Sequence, residues 1–326
     1  MKLTSSIKSV IITDTGQARS SLDPALGVLA ATATSLAYRL DDAASEVYLS
    51  KPPTYSELAN LLAKMVKKAK EKWCKDKPKS DARLAKLLFK TIDYIGTAFE
   101  LRSILYTRVN QSESMGLECI ELHCIKGPYK GWTILATAGR DDIETLGLAA
   151  WELAGRMLEK VKIKLSPLNI TIARKKLIEK RVKCLPNDKP ILFAAHSTGA
   201  VETGHAARCA LGVKKLKHLV FFNPLDHHNR GQERIPFDKT RCNTSCEMDV
   251  TVVTSHQPKR GWKRMNFFEF EQVVNGLIGG KNYKGATRIS FQDPSNHTHD
   301  GHKLGESALA LLHLNGAEQT IKSLFE

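Results

Sequence analysis

Apolar and polar positions along the first hundred residues recur with the spacing of helices. Residues 23–42 open with Asp-Pro, a cap followed by a first-turn proline, and carry small or apolar residues on most faces, which predicts a largely buried helix. Residues 54–73 begin with a Thr-x-x-Glu capping box, and residues 80–105 repeat the same apolar periodicity. We expect these two segments to pair as a basic helical hairpin, and we assign residues 1–110 to an N-terminal helical region.

After residue 110 the pattern alternates between strands and helices. Segments 117–125 and 132–139 have the character of two strands joined by a short, turn-rich connection. Residues 190–197 form a continuous apolar run, which is typical of a parallel strand covered on both faces. The remaining predicted helices are 141–161, 172–183, 198–211, 265–279 and 303–314, and the remaining strands are 218–224, 249–255 and 287–293. This alternation predicts an α/β domain over residues 111–326, with a mostly parallel sheet and helices on both faces.

The net positive charge of the chain is a further indication of function, because a basic surface can bind anionic partners. The chain has 49 lysines and arginines against 34 aspartates and glutamates, a formal net charge of +15. The densest basic runs are 64–79 and 172–183, and aromatic residues are not interleaved with the charges as base stacking requires. Such a charge attracts nucleic acid, anionic lipid or an acidic protein, and it is equally typical of a solvated basic surface.

Targeting and cysteine patterns favour a soluble, intracellular, cytoplasmic protein. The first residues lack the apolar run of a secretory signal, and no apolar segment reaches transmembrane length. The seven cysteines are odd in number and dispersed, as expected of reduced thiols. Cys242 and Cys246 lie downstream of His227 and His228, but their spacing matches no standard zinc finger, so we expect neither a metal nor a cofactor. Nothing in the sequence indicates the oligomeric state.

A serine stands where the continuous apolar strand meets the helix that follows it. The sequence there is Ala-His-Ser-Thr-Gly, and a strand ending in His-Ser-x-Gly before a helix is the context of a nucleophile elbow. Ala195 and Gly199, two positions on either side of Ser197, are small enough for its strained turn. The helix N-terminus would offer the backbone N–H of Thr198 to an oxyanion. The alternative is a strand end with an incidental serine.

The order of elements around this turn resembles the fungal-type class 3 lipases of the α/β-hydrolase superfamily. The matching residues are the small-residue helix that ends in AYRLDD, the hairpin LECIELHCIKGPYKGWTILATAGRDDIETL, the AHSTG turn, FFNPLD after the next strand and a late histidine, over residues 25–314. The resemblance implies an α/β-hydrolase fold and an acyl ester, thioester or lipid-like substrate, cleaved through an acyl-enzyme on Ser197. In that family the residue after the hairpin glycine supplies an oxyanion donor, and here the backbone N–H of Arg140 takes this position.

The same resemblance implies a histidine base after the final strand. His302 stands just before the last predicted helix, as the catalytic histidine of the family does, and is therefore our first candidate. His299 is the second candidate and His297 the third. A histidine-rich solvated loop is the alternative interpretation of all three residues.

The acid of the triad is expected after a neighbouring strand. No carboxylate follows the strand 249–255, where members of the family usually carry one. Asp226 follows the preceding strand at the catalytic edge, where some lipases of the superfamily keep their acid. We therefore expect Asp226 to orient the histidine, the alternative being a turn aspartate after Asn-Pro.

Two classes of function remain open on these observations. One is a serine esterase or lipase-like hydrolase with Ser197, His302 and Asp226 as its triad. The other is a hydrolase-like scaffold of reduced chemistry that binds a polyanion through its basic surface. The absence of a carboxylate after 249–255, the turn at Arg140 without a hydroxyl donor and the net charge favour the second class. An active-site serine probe distinguishes the two.

Overall fold

One sheet of eight strands organises the part of the chain that the structure describes. This computed structural model describes residues 10–14, 22–43, 53–75, 82–110, 113–139, 168–197, 199–210, 214–224, 248–256, 287–292, 304–314 and 316–325. The strands are β1 (Val10–Asp14), β2 (Phe99–Asn110), β3 (Glu113–Cys124), β4 (Thr133–Thr137), β5 (Ile191–His196), β6 (Leu216–Phe222), β7 (Asp249–His256) and β8 (Thr287–Gln292). The helices are α1 (Pro24–Ala37), α2 (Leu40–Ala43), α3 (Tyr55–Lys75), α4 (Ala82–Ala98), α5 (Leu168–Lys183), α6 (Gly199–Ala210), α7 (Leu304–Leu312) and α8 (Ala317–Lys322).

The centre of the sheet is parallel and its two sides are antiparallel. Across the sheet the strands follow the order β1-β8-β7-β6-β5-β4-β3-β2. Strands β4 to β8 pair in parallel with one another. Strands β3 and β2 continue the sheet antiparallel on one side, and β1 adds antiparallel to β8 on the other. The prediction of an α/β fold with a mostly parallel sheet is therefore confirmed.

Strand β5 shows that helices cover both faces of this sheet. Its six residues are all buried. Leu192 and Ala194 belong to a core cluster that includes α1, α4 and α7. Phe193 and Ala195 belong to a second cluster that includes α5 and α6. Because successive side chains of a strand point to opposite faces, one continuous apolar run fills both cores.

Helix α1 is buried on nearly all sides, as its small and apolar residues predict. The Asp23 carboxylate caps it by accepting a hydrogen bond from the backbone N–H of Ala25 at 2.9 Å, with Pro24 in the first turn. Thr32 is buried inside the helix, and its hydroxyl donates to the carbonyl of Val28 at 2.8 Å. The helix runs across the central strands and ends beside the carboxyl end of the sheet, next to Tyr38.

Helices α3 and α4 form the predicted basic hairpin. The capping box is present, because the backbone N–H of Thr54 donates to Glu57 Oε2 at 2.7 Å and the Glu57 N–H donates to Thr54 Oγ1 at 3.3 Å. An exposed ion pair joins the two helices, with Lys70 Nζ 2.8 Å from Asp93 Oδ1. Its contribution to stability is small, about 0 to 1 kcal/mol, because both side chains are solvated.

The second helix of the hairpin is shorter than predicted, because residues 99–105 form the start of β2. The apolar residues of 99–105 have the spacing of a helix, although the segment is an extended strand. Phe99, Leu101 and Ile104 all contact the core that includes α1, and the register against β3 shifts between Leu101 and Ser103. This β-bulge changes the spacing of two core residues from two to three, which imitates the spacing of a helix. Pairing with β3 supplies the backbone hydrogen bonds that decide the conformation.

Other predicted elements have mixed outcomes. The strand β1 and the helix α8 were not predicted, and the helices expected at 141–161 and 265–279 lie outside the described residues. The division of the chain at residue 110 stays a prediction, although β1 and β2 precede it and lie in the same sheet as the later strands. Within the described part of the chain, no helix has the length and hydropathy to cross a membrane. Cys119, Cys124, Cys184 and Cys209 are free thiols.

Candidate active site

Ser197 occupies a left-handed turn between β5 and α6, at the carboxyl edge of the parallel strands. Its φ angle is +53°, a region that serine rarely adopts. The residue is 3% exposed. Its backbone N–H donates to the carbonyl of Phe222 at the end of β6, at 3.1 Å. The chain therefore turns sharply at the serine, and neighbouring strands hold the strained conformation in place.

Two glycines allow the backbone to pack closely around this turn. A Cβ atom on Gly199 would lie 2.4 Å from the carbonyl oxygen of Ala138, and one on Gly139 would lie 2.6 Å from Ser197 Cβ. No side chain fits at either place. The end of β4 and the beginning of α6 therefore approach within backbone contact, with Ser197 between them.

A tyrosine for which the sequence predicts no role completes the contacts. Tyr38 follows α1, and its hydroxyl accepts a hydrogen bond from the backbone N–H of Gly139 at 2.8 Å. The same hydroxyl shares a 2.5 Å hydrogen bond with Nδ1 of His196. His196 is 5% exposed, and its ring meets that of Tyr38 edge to face. Tyr38 thus fixes the backbone after β4 relative to the residue that precedes Ser197.

A second strained residue lies at the end of the next strand. Asn223 follows β6 with a φ of +41°, and its backbone N–H donates to the carbonyl of Val253 in β7 at 2.8 Å. Asparagine tolerates this region better than most residues. Its side-chain amide donates to the hydroxyl of the buried Ser307 in α7 at 3.3 Å. The first turns of α7 are therefore attached to the same edge of the sheet as Ser197.

Beneath the turn lies a buried polar chain that offers no rival nucleophile. The hydroxyl of Thr203 in α6 donates to Thr137 at 2.9 Å, and Thr137 in turn contacts Sγ of Cys119 at 3.5 Å. Burial raises the pKa of the Cys119 thiol to about 12. A thiol with this pKa stays protonated at neutral pH, and only the thiolate is a strong nucleophile.

The structure describes one member of the expected catalytic set, Ser197. The other sequence-predicted site residues lie outside the described residues, so their positions stay predictions. These are Thr198, Arg140, Asp226, His297, His299 and His302. The same holds for the four residues considered as zinc ligands and set aside, Cys242, Cys246, His227 and His228.

Comparison with known proteins assigns no family to this fold and turn. No protein-family model matches the chain, no curated protein matches it and no solved structure matches it. The class of protein that fold and site define is therefore an α/β protein with a strained serine at the carboxyl edge of a parallel sheet. A more specific class of protein can be proposed only from the chemistry of the site itself.

The left-handed conformation of Ser197 predicts an unusual order of stability between two variants. We expect Ser197→Gly to be more stable than Ser197→Ala by about 1 kcal/mol, because both lack the hydroxyl but only glycine avoids the strain of a Cβ atom at positive φ. The free energies of unfolding in urea measure the difference.

The matched control lies in helix α1 at Ser35, where the order is expected to reverse. There Ser35→Ala should be more stable than Ser35→Gly by about 1 kcal/mol, because glycine is a poor helix former. If alanine were also the more stable replacement at position 197, Ser197 would not hold the left-handed turn.

Proposed function

We propose that this protein is a serine hydrolase, an esterase or lipase-like enzyme of the α/β-hydrolase superfamily that cleaves a carboxylic ester or thioester. The observation that carries the proposal is the conformation of Ser197, a buried serine at φ +53° between a parallel strand and a helix. Strain of this kind persists only where the surroundings hold it, and it is concentrated at functional sites. A serine at an ordinary strand end would have no reason to adopt this strained conformation.

The helix that begins at Gly199 supports an anion beside this serine. The first backbone N–H groups of a helix lack internal partners, and the helix dipole places partial positive charge at that end. In the proposed mechanism the N–H of Thr198 stabilises the oxyanion. Arg140 follows Gly139 directly, and Gly139 packs against Ser197 Cβ, which supports the Arg140 N–H as the second donor.

The proposed reaction proceeds through an acyl-enzyme. Ser197 Oγ attacks the acyl carbonyl while His302 takes the hydroxyl proton, and the tetrahedral intermediate then collapses with return of that proton to the leaving alcohol or thiol. Water enters, loses a proton to His302 and attacks the acyl group. Ser197 regains its proton and the carboxylic acid leaves. Asp226 holds the histidine in the required orientation, and His299 or His297 takes the place of His302 if the register of the loop differs.

Contacts at the carboxyl edge support these assignments for the histidine and the acid. Helix α7 begins at Leu304, directly after the segment that contains His302, and it contacts Asn223 through Ser307. Asp226 comes three residues after Asn223. The chain therefore leaves β6 and enters α7 at the edge where Ser197 lies, which favours a triad assembled from the two adjoining segments.

Labelling with a fluorophosphonate probe tests the proposal. The probe phosphonylates a serine only when that serine is activated, so we expect the wild-type protein to be labelled and Ser197→Ala to remain unlabelled. Peptide mapping of the labelled protein should locate the adduct on Ser197.

Two further proteins make the labelling test decisive. Ser323→Ala, which changes an exposed serine beyond α8, should be labelled like the wild type. Heat-denatured wild type should not react. Labelling of Ser197→Ala to the wild-type extent would show that Ser197 is not the nucleophile, and the hydrolase proposal would fail.

A second candidate function is a binding scaffold for a polyanion. The observation that favours it is the outer face of α3, where four lysines are exposed in three turns, namely Lys64, Lys67, Lys68 and Lys72. One of them, Lys68, is 3.7 Å from Glu71, a solvated pair. Under this alternative the fluorophosphonate leaves the folded wild-type protein unlabelled.

A further inference from the structure

Three side chains with metal-ligand chemistry converge between α5 and α6, away from the candidate active site. Glu179 Oε2 lies 3.8 Å from Nε2 of His205. Sγ of Cys209 lies 3.7 Å from the same nitrogen. The three possible ligand atoms all fall within 4.8 Å of one another. One carboxylate, one imidazole and one thiol therefore lie close together.

The secondary structure explains why these residues meet. His205 and Cys209 are four positions apart on α6 and therefore lie on one face of the helix, one turn apart. Glu179 extends from α5, which packs beside α6 on the same face of the sheet. A partly buried ion pair between Arg181 and Glu121 joins α5 to β3. The two helices are therefore held by the sheet, and the cluster is formed without help from a ligand.

The separations are close to the edges of a coordination tetrahedron. Zinc binds nitrogen and oxygen at about 2.0–2.2 Å and sulfur at about 2.3 Å with tetrahedral angles, which places a nitrogen and an oxygen ligand about 3.3–3.6 Å apart and a nitrogen and a sulfur ligand about 3.5–3.6 Å apart. The two separations from His205 Nε2, 3.8 Å to the Glu179 oxygen and 3.7 Å to the Cys209 sulfur, are longer by only about 0.1–0.2 Å, so small side-chain movements bring these atoms to a bound cation. An N–H···O hydrogen bond would bring the Glu179 oxygen closer, to about 3 Å.

The charges of the three side chains also suit a divalent cation. A carboxylate and a thiolate together neutralise two positive charges, and the sulfur and imidazole ligands favour zinc over magnesium or calcium. Lys183 Nζ lies 3.1 Å from the other carboxylate oxygen, Oε1. Glu179 therefore has one oxygen paired with a lysine and the other facing His205.

We infer that Glu179, His205 and Cys209 bind one zinc-class divalent cation, with water as the fourth ligand. The His205 and Glu179 side chains are 20% and 36% exposed, so the cation and the water have access from solvent. On binding, the Cys209 thiol loses its proton to solvent and a metal–sulfur bond forms, without any change in oxidation state. The cation would link α5 to α6, the helix whose first turn contacts the backbone beside Ser197.

Cobalt(II) is the probe that tests this site, because its spectrum reports both sulfur ligation and four-coordinate geometry. The full-length protein is first freed of metal with a chelator and then titrated with Co²⁺. We expect one equivalent to produce a thiolate-to-cobalt charge-transfer band and the visible bands of tetrahedral cobalt, and Zn²⁺ to displace it. Cys209→Ser should lose the charge-transfer band, and His205→Gln should bind at least about tenfold more weakly.

Matched variants show whether the cobalt spectrum comes from these three side chains. Cys184→Ser removes an exposed cysteine just beyond α5 and should keep the full cobalt spectrum. Ser197→Ala should keep it too, so the metal site and the hydrolase proposal are tested separately.

Glu179→Gln changes a half-exposed side chain and should also weaken cobalt binding at least about tenfold. If circular dichroism shows that Cys209→Ser is unfolded, the cobalt affinity of Glu179→Gln tests the site instead. An unchanged cobalt spectrum in Cys209→Ser or unchanged affinity in Glu179→Gln would overturn the inference.

Discussion

Ser197→Ala is expected to lower kcat/KM for ester hydrolysis by at least about 10³-fold, a loss of about 4 kcal/mol of transition-state stabilisation. Alanine removes the atom that forms the acyl bond, and the remaining donors at the helix N-terminus cannot replace it. Initial rates of hydrolysis of p-nitrophenyl esters with short and long acyl chains measure the effect. The comparison between chain lengths also reports how much acyl chain the enzyme accommodates.

A structural role of the serine would give a different result in the same experiment. Ser197→Ala should retain the cooperative unfolding transition of the wild type, because alanine fits the space that serine occupies. Ser323→Ala should hydrolyse the esters at the wild-type rate. Equal hydrolysis by wild type and Ser197→Ala would mean that another group catalyses the reaction, and the proposed acyl-enzyme mechanism would be wrong.

Gly199→Ala is expected to destabilise the protein by about 3 kcal/mol or more. The new Cβ atom would lie 2.4 Å from the carbonyl oxygen of Ala138 and 3.0 Å from that of Thr137. These are backbone atoms, so no side-chain rotation relieves the contact. Thr137 pairs with Ala195 in the sheet, and moving the end of β4 away would break the register that holds the serine turn. Urea unfolding measures the loss.

The matched control for this substitution is another helical glycine, Gly96 in α4. There the new Cβ atom would meet a side-chain methyl group of Val66 at 3.3 Å, a contact that small movements relieve. Gly96→Ala should therefore stay within about 1 kcal/mol of the wild type, since the better helix propensity of alanine offsets the contact. Equal stability of Gly199→Ala and Gly96→Ala would contradict the close approach of α6 to β4.

The elements that the sequence predicts well are those whose pattern depends on local geometry. Strand β5 is a buried apolar run between turn residues, and burial in two cores requires just that pattern. Strand β1 is different, because its five residues form a strand only by pairing with β8. The helix predicted through residue 105 failed for a related reason, since the bulge in β2 gives a helical spacing to residues that a partner strand holds extended.

In the candidate site too, residues defined by their neighbours in the chain are predictable from the sequence, and residues defined by distant contacts are not. Ser197 is recognisable from the residues next to it, because a strand, a tight turn and a helix follow one another in the chain. Tyr38 is not, because the hydroxyl contact to His196 joins residues 158 positions apart. The metal cluster is predictable from the sequence only in part. The spacing of His205 and Cys209 is visible on a predicted helix, but the third ligand comes from the neighbouring helix, and only the packing of α5 against α6 reveals it.

The pairing of β1 with β8 determines when the sheet can be completed during synthesis. Val10 lies opposite Phe291, so the first described strand can pair only after the last described strand has been made. Strands β2 to β7 can pair earlier, while the free edge of β7 stays open to other chains. This open edge persists at least until the chain has been translated as far as β8, and the opportunity for aggregation during synthesis grows with that time.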